Sequence, residues 1–391
     1  MSLTRFCPKP GVRRLLAGVL SLAAAGLLAG CGSLFGSSAP KPAPLPTLPA
    51  QPVQLQLLWR DDLPSRRSPS QAVLAGDRYV VAGGDGRLAA YALADGRVLW
   101  RAHVRQELGA SLGSDGLVAA VVTLDNELIV VREDRELWRT RLGSRVVTAP
   151  LVAGERVFVL TVDRQVLAFD ALNGRALWTQ QRAGAGEPLT LLKPGVLRAH
   201  RNLLVVGLGP RLVALDSLDG SVRWDLPLAA PRGTNEVERL ADLVGPAGRE
   251  GKVICARAFQ SALGCVDADA GRLLWSKSGS GEEGTAVDAE QVYSVDANDR
   301  LMAWKRSGGE VRWSSESLLR RQLTAPVVVG RHLLVGDAQG YVHVFDRDSG
   351  QPVGRIATDG SAVDSPLSVA PGGTVLLSTR RGGVFALRLP R

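Results

Sequence analysis

A unit of about forty residues that ends in a tryptophan recurs along this chain, and nothing else in the sequence restricts its fold so strongly. Val166-Leu-Ala-Phe-Asp170 and Asn173-Gly174 lead to Trp178, and Leu212-Val-Ala-Leu-Asp216 and Asp219-Gly220 lead to Trp224. The same order reaches Trp100, Trp138, Trp275 and Trp313, and a further copy reaches Gly354, where the tryptophan is lost. From Trp100 the successive separations are 38, 40, 46, 51, 38 and 41 residues. Each unit has the content of four short strands. Arg156-Val-Phe-Val-Leu-Thr161 alternates as a strand does, Asp163-Arg164 makes a turn, and Gln165 to Phe169 returns. The Asp-x-x-Asn-Gly step is a hairpin turn, because Gly takes φ > 0 and Asn or Asp tolerates it. A short strand precedes each unit, as in Thr148-Ala-Pro-Leu-Val152 and Thr324-Ala-Pro-Val-Val328. Four antiparallel strands every forty residues or so make one propeller blade.

The units number seven, and two strands, Thr374 to Ser378 and Gly383 to Leu389, are left over at the C-terminus. A tryptophan strand is left over at the other end, Val53 to Trp59. Pairing it with Val384 to Arg388 completes an eighth blade and removes an open sheet edge, which would otherwise invite aggregation. The expected fold is therefore all-β, an eight-bladed propeller over 53–391 closed by its own two ends. The alternative is a seven-bladed ring with a stray hairpin. The tryptophans are expected to pack between blades rather than grip a ligand. Trp304 sits elsewhere in its unit and receives no assignment.

Ahead of the repeats, Arg13 and Arg14 precede a short apolar run from Leu15 to Leu27, and Leu28-Ala29-Gly30-Cys31 closes it. That order is a secretory signal over 1–30, and the run is too short to span a bilayer. The closing residues resemble the lipobox of bacterial lipoproteins, which implies cleavage before Cys31 and its acylation. A plain secreted protein with an incidental cysteine is the alternative. Gly32 in place of Asp favours the outer membrane. Residues 31–52 are rich in Ser, Ala and Pro and are expected to form a flexible tether between lipid and domain. The signal segment holds four of the 47 basic residues and no acid, which leaves 43 basic against 38 acidic, about +5. Those charges are interspersed, which together with export argues against nucleic acid as a partner. Cys255 and Cys265 lie ten apart in neighbouring strands. They form either a cross-strand disulfide, if a bulge sets the register, or two separate thiols.

The repeat Leu-x-Ala-Leu-Asp-x-x-x-Gly-x-x-x-Trp is similar to that of pyrroloquinoline-quinone-dependent dehydrogenases, and it also occurs in propellers without cofactor. Lipobox, tether and eight such units together resemble the BamB family, lipoproteins of the β-barrel assembly machinery. The most specific stretch is Arg232-Gly-Thr-Asn-Glu-Val-Glu-Arg-Leu-Ala-Asp-Leu243, which is similar to the family's Gly-Ser/Thr-x-Glu-hydrophobic-x-Arg-Leu-x-Asp segment. The resemblance implies a non-enzymatic scaffold at the periplasmic face of the outer membrane, a monomer within a hetero-complex. It would bind the periplasmic domains of the barrel-inserting (BamA-like) protein and, secondarily, unfolded outer-membrane proteins. It implies contacts from Arg239, Leu240 and Asp242 and, in a neighbouring loop, from Leu189, Leu191 and Lys193. The chain departs from the pattern at Leu192, where the family has Arg, and at Val244, where it has a second acid; Lys193 is no bidentate substitute for Arg. The residues alone point to the same region, since Leu189 and Leu191 alternate with Thr190, and Leu240 and Leu243 flank Asp242 in a charged loop.

A quinoprotein dehydrogenase is the enzymatic alternative. It requires a Ca²⁺ site and a catalytic Asp, and its active members carry an adjacent Cys-Cys pair that this sequence lacks. The four histidines form no zinc spacing, so neither metal nor cofactor is expected. His343 alternates with Val342 and Val344, which places it on a polar sheet face. Asp85-Gly86 belongs to a hairpin turn and not to a phosphate loop. A general chaperone that adds client strands to exposed blade edges is the third reading.

Overall fold

The computed structural model describes residues 41–63, 72–181, 189–230 and 233–390. Cys31, the signal segment 1–30 and Arg232 lie outside the described residues. The unit that begins at Pro42 carries eight four-stranded antiparallel sheets. In chain order they are blade 1 (73–103), blade 2 (113–141), blade 3 (151–181), blade 4 (197–227), blade 5 (243–278), blade 6 (285–315), blade 7 (327–357) and blade 8. Blade 8 takes three strands from 368–388 and its outermost from Gln56–Asp62. That strand lies against Gly383–Arg388, with Gln56 opposite Arg388 and Asp62 opposite Gly383. The expected closure is present, three residues further along the chain than the sequence suggested, and Leu55 is buried before the strand begins. The innermost strands of successive blades touch one another around the ring, blade 8 to blade 1 included.

Strand alternation is what builds the core. In the second strand of blade 3, Val157 and Val159 join the apolar cluster shared with blade 2. Phe158 and Leu160 join the cluster shared with blade 4. A period-two pattern therefore sends apolar side chains to both neighbours, which is why the middle strands are buried on both faces.

Tryptophans hold one blade to the next at every junction of the ring except that between blades 7 and 8. Each faces its neighbouring strand just before a register shift, as Trp178 faces Ala168 and Trp224 faces Ala214, and such a bulge re-aims the side chain. The Trp178 indole lies over Gly220 of blade 4 and donates to the Ser217 carbonyl (3.3 Å). Trp138, Trp224, Trp275 and Trp313 donate likewise to Ala171, Ala268, Arg306 and Arg347 at 2.7–3.0 Å. The turn must be glycine twice over: Gly220 has φ +75°, and a Cβ there would come within 2.6 Å of the Trp178 ring. The lost tryptophan also has a cause. Blade 8 has no turn between its last two strands, because they come from opposite ends of the chain. At Gly354 the main chain of Val53 passes instead, its carbonyl 2.3 Å from where a Cβ would stand. Trp304 is buried and donates to Ser294 (3.0 Å), within the cluster that holds Cys255 and Cys265.

Three expectations are corrected in detail. Cys255 and Cys265 are disulfide-bonded and face each other directly in an unshifted ladder, so no bulge is needed. The innermost strands start later than the sequence suggested, at Leu151 and Val327, because Pro150 and Pro326 cannot donate to a ladder. Thr324 bonds instead to the Gly336 amide (3.0 Å), and Thr148 to the Gly195 amide (2.8 Å). His343 is not on a polar face. It is 1% exposed, with Nε2 2.9 Å from Asp337, itself wholly buried. Burial lowers the His343 pKa, against the pull of Asp337. The tether expectation also meets structure: Ala43 donates to Leu319 and Val53 to Val353, at 2.9 and 2.8 Å.

Candidate functional site: a face built by interblade loops

In every blade the outermost strand ends on the same side of the ring, and there the chain crosses to the next innermost strand. The turns between the second and third strands reach that side too. The stretches 189–195 and 233–243 are such crossings, and Asp163-Arg164 is such a turn. Asp242 ties the three together. Its carboxylate accepts from Arg164 (2.8 Å) and from the Leu191 amide (2.9 Å). Its carbonyl accepts from the Phe259 amide (2.9 Å). Gly245 donates to Pro194 (2.9 Å), and Gly195 bridges to Val244. Asp242 is therefore held within the chain, and its side chain is 13% exposed. Val244, in the place of the absent acid, is buried in the blade 5 ladder.

The loop before Asp242 is one tight turn fixed by its own polar groups. Glu238 accepts from the Thr234 amide (2.7 Å), and Asn235 accepts from the Glu238 amide (2.9 Å), much as residues cap a helix start. The Thr234 amide holds the Glu238 carboxyl below its usual pKa. The turn projects Val237 and Arg239 into solvent. Leu189, Arg239, Leu240 and Asp242 then line one groove with Arg164 and Pro210.

Lys193 lies 2.8 Å from Glu282 and 3.5 Å from Glu283, in the crossing from blade 5 to blade 6, two beyond its own. Burial raises the Glu283 carboxyl to about 7, against the pull of Lys193. Arg257 beneath is lowered by burial to about 10 and donates to the Ser280 carbonyl (2.7 Å).

Of the six residues expected at this surface, Leu189 and Arg239 are exposed, whereas Leu191, Lys193, Leu240 and Asp242 are half-buried. The supporting anchor Leu243 is 3% exposed and belongs to the blade 5 core. The fully presented apolar residues are Leu189, Leu192 and Val237. In the sequence Leu192 stands out only as a missing Arg, Val237 only as one residue of the 232–243 stretch, and Arg164 only as half of a turn. Periodicity cannot find such residues, because a loop has no period. Among the described residues no group of three or more His, Cys, Asp or Glu is placed to hold a metal ion. Nor, among them, is any helix long and apolar enough to cross a membrane.

A solved structure of a quinohemoprotein alcohol dehydrogenase from Comamonas testosteroni shares the fold, with a TM-score of 0.66 and 14% identity over 86% of this chain and 78% of that one. A crystal structure of BamB from Moraxella catarrhalis superposes with a TM-score of 0.76 and 22% identity, covering 86% of this chain and all of that one. A curated relative from Burkholderia pseudomallei, an outer membrane protein assembly factor BamB, is 33% identical over 382 residues, 96% of this chain and 99% of its own. The profile of the family described as outer membrane protein assembly factor BamB matches residues 56–134 and 84–315. The chain thus belongs to the BamB family of outer membrane protein assembly factors.

Proposed function

We propose that this chain is a non-enzymatic, lipid-anchored scaffold of the β-barrel assembly machinery. It binds the periplasmic domains of the barrel-inserting protein through the face made by 189–195 and 233–243. Cys31 carries the lipid, and the propeller works at the periplasmic face of the outer membrane. The observation that carries the docking assignment is the build of that face. Apolar Leu189, Leu192 and Val237 stand proud of a base locked by Arg164, Asp242 and Lys193. A rigid base with apolar points and a charged rim is how protein interfaces are made.

The test uses residues that no internal contact needs. Leu189→Asp, Leu192→Asp and Val237→Asp together should reduce co-purification of the barrel-inserting protein from solubilised outer membrane at least tenfold, about 1.4 kcal/mol. Circular dichroism and melting should be unchanged. Undiminished co-purification removes the assignment. For the anchor, Cys31→Ser should abolish flotation of the mature protein with vesicles, and flotation that persists would refute lipidation there.

A further inference from the structure

The proline-rich stretch ahead of blade 8 is laid along blade 7. Ala43 donates to the Leu319 carbonyl (2.9 Å), and its own carbonyl accepts from Arg321 (2.8 Å). The Pro46 carbonyl accepts from Arg355 (2.9 Å). Val53 donates to Val353 (2.8 Å) and crosses over Gly354. Leu45, Pro46, Leu48, Pro52 and Val53 are half-buried. The fit follows from composition. Prolines at 42, 44, 46, 49 and 52 hold the segment extended and remove its amide donors. Its carbonyls are left to be bound by side-chain donors, and two arginines supply them. Arg321 is itself fixed from behind by Asp337 at 2.7–2.8 Å and is 5% exposed.

The course of this strap has a directional consequence. The outermost strand of blade 8 begins, at Gln56, on the side opposite the docking loops. A tether leaving from there would depart from the wrong face. The strap runs back along the outermost strand of blade 7 (Pro352–Ala357), from Val53 to Ala43. Ala43 lies beside Leu319 and Arg321, in a crossing on the docking side. We infer that the strap transfers the exit of the lipid tether from one face of the propeller to the other, so that the propeller is held with its loop face toward the lipid surface. The ten residues 32–41 can then reach no more than about 35 Å from Cys31. With the strap free, the 24 residues 32–55 would reach about 80 Å and leave from the opposite face. The inference rests on lipidation of Cys31 and is independent of which partner docks.

The test uses the mature lipidated protein in phosphatidylethanolamine–phosphatidylglycerol vesicles that carry a headgroup acceptor dye. A donor is placed on Leu124→Cys, on the loop side, or on Leu218→Cys, on the far side; both leucines are exposed. Energy transfer should be roughly twofold greater from position 124, for faces separated by a six-residue strand of about 20 Å. Ala43→Pro with Arg355→Ala, which removes one strap donor and one clamp, should abolish the difference. The variant should also raise amide exchange at Val53 while circular dichroism stays unchanged. If the wild type floats with the vesicles but transfers equally from both positions, the inference falls and the anchor stands. If the double variant keeps the twofold difference, the strap does not set the orientation. If the wild type does not float, anchor and inference fall together.

Discussion

Glu283 is a carboxyl that the fold makes hard to ionise. Burial lifts it to about 7 from an ordinary 4.5, with Lys193 working in the other direction. An acid whose folded pKa lies above its unfolded value binds its proton more tightly when folded. Its contribution to stability is complete below about pH 4.5 and is lost as pH rises through about 7. Melting temperature should therefore decline across that window. Glu283→Gln should flatten the decline, and Lys193→Ala should move the Glu283 titration upward in carboxyl NMR. A flat wild-type profile contradicts the assignment. The tryptophan–glycine contact is the other test at this scale. Gly220→Ala meets both a left-handed backbone and the Trp178 ring, and it should cost about 2 kcal/mol in denaturant unfolding. The exposed Gly154 also has positive φ but nothing near its missing Cβ. Alanine there should cost about 1 kcal/mol, for the backbone alone.

Among the elements, the repeating hairpins were legible because each has its own local signals: an Asp turn, a positive-φ glycine and a strand of alternating side chains. Closure was legible because one tryptophan strand lacked a unit and one unit lacked a strand. What escaped depended on partners distant in sequence. The stretch 43–52 reads as tether by composition, and partners about 300 residues away, Arg321 and Arg355 with the main chain at Leu319 and Val353, make it a strap. His343 reads as a strand residue facing out, and only Asp337 makes it an interior one. The disulfide register follows from the hairpin itself, with Ala258 opposite Ala262, and needs no bulge. Gly354 reads as a decayed repeat position, yet it is required where Val53 crosses. Gly354→Ala should displace Val53 and lower the melting temperature, although it moves toward an ordinary strand residue. A variant as stable as the wild type would mean that the strap is not seated there.

At the scale of the whole molecule, a ring stapled by tryptophans at all junctions but one, and crossed by Val53 at that one, has little freedom to open, and its crossings carry the differences in length between repeats. The longest separation in the repeat series, 51 residues between Trp224 and Trp275, is the one that holds the 233–243 loop. The position of this loop face was therefore legible as an excess of chain, whereas the residues presented on it were not. Asp242 and Lys193, charged and prominent in the sequence, work inward, and Leu192 and Val237 face outward. A photo-crosslinking amino acid placed in living cells at Val237, and separately at Leu218 on the far side, addresses the central claim most directly. The account predicts adducts to the barrel-inserting protein from position 237 and none from 218. Adducts from 218 with none from 237 would contradict it.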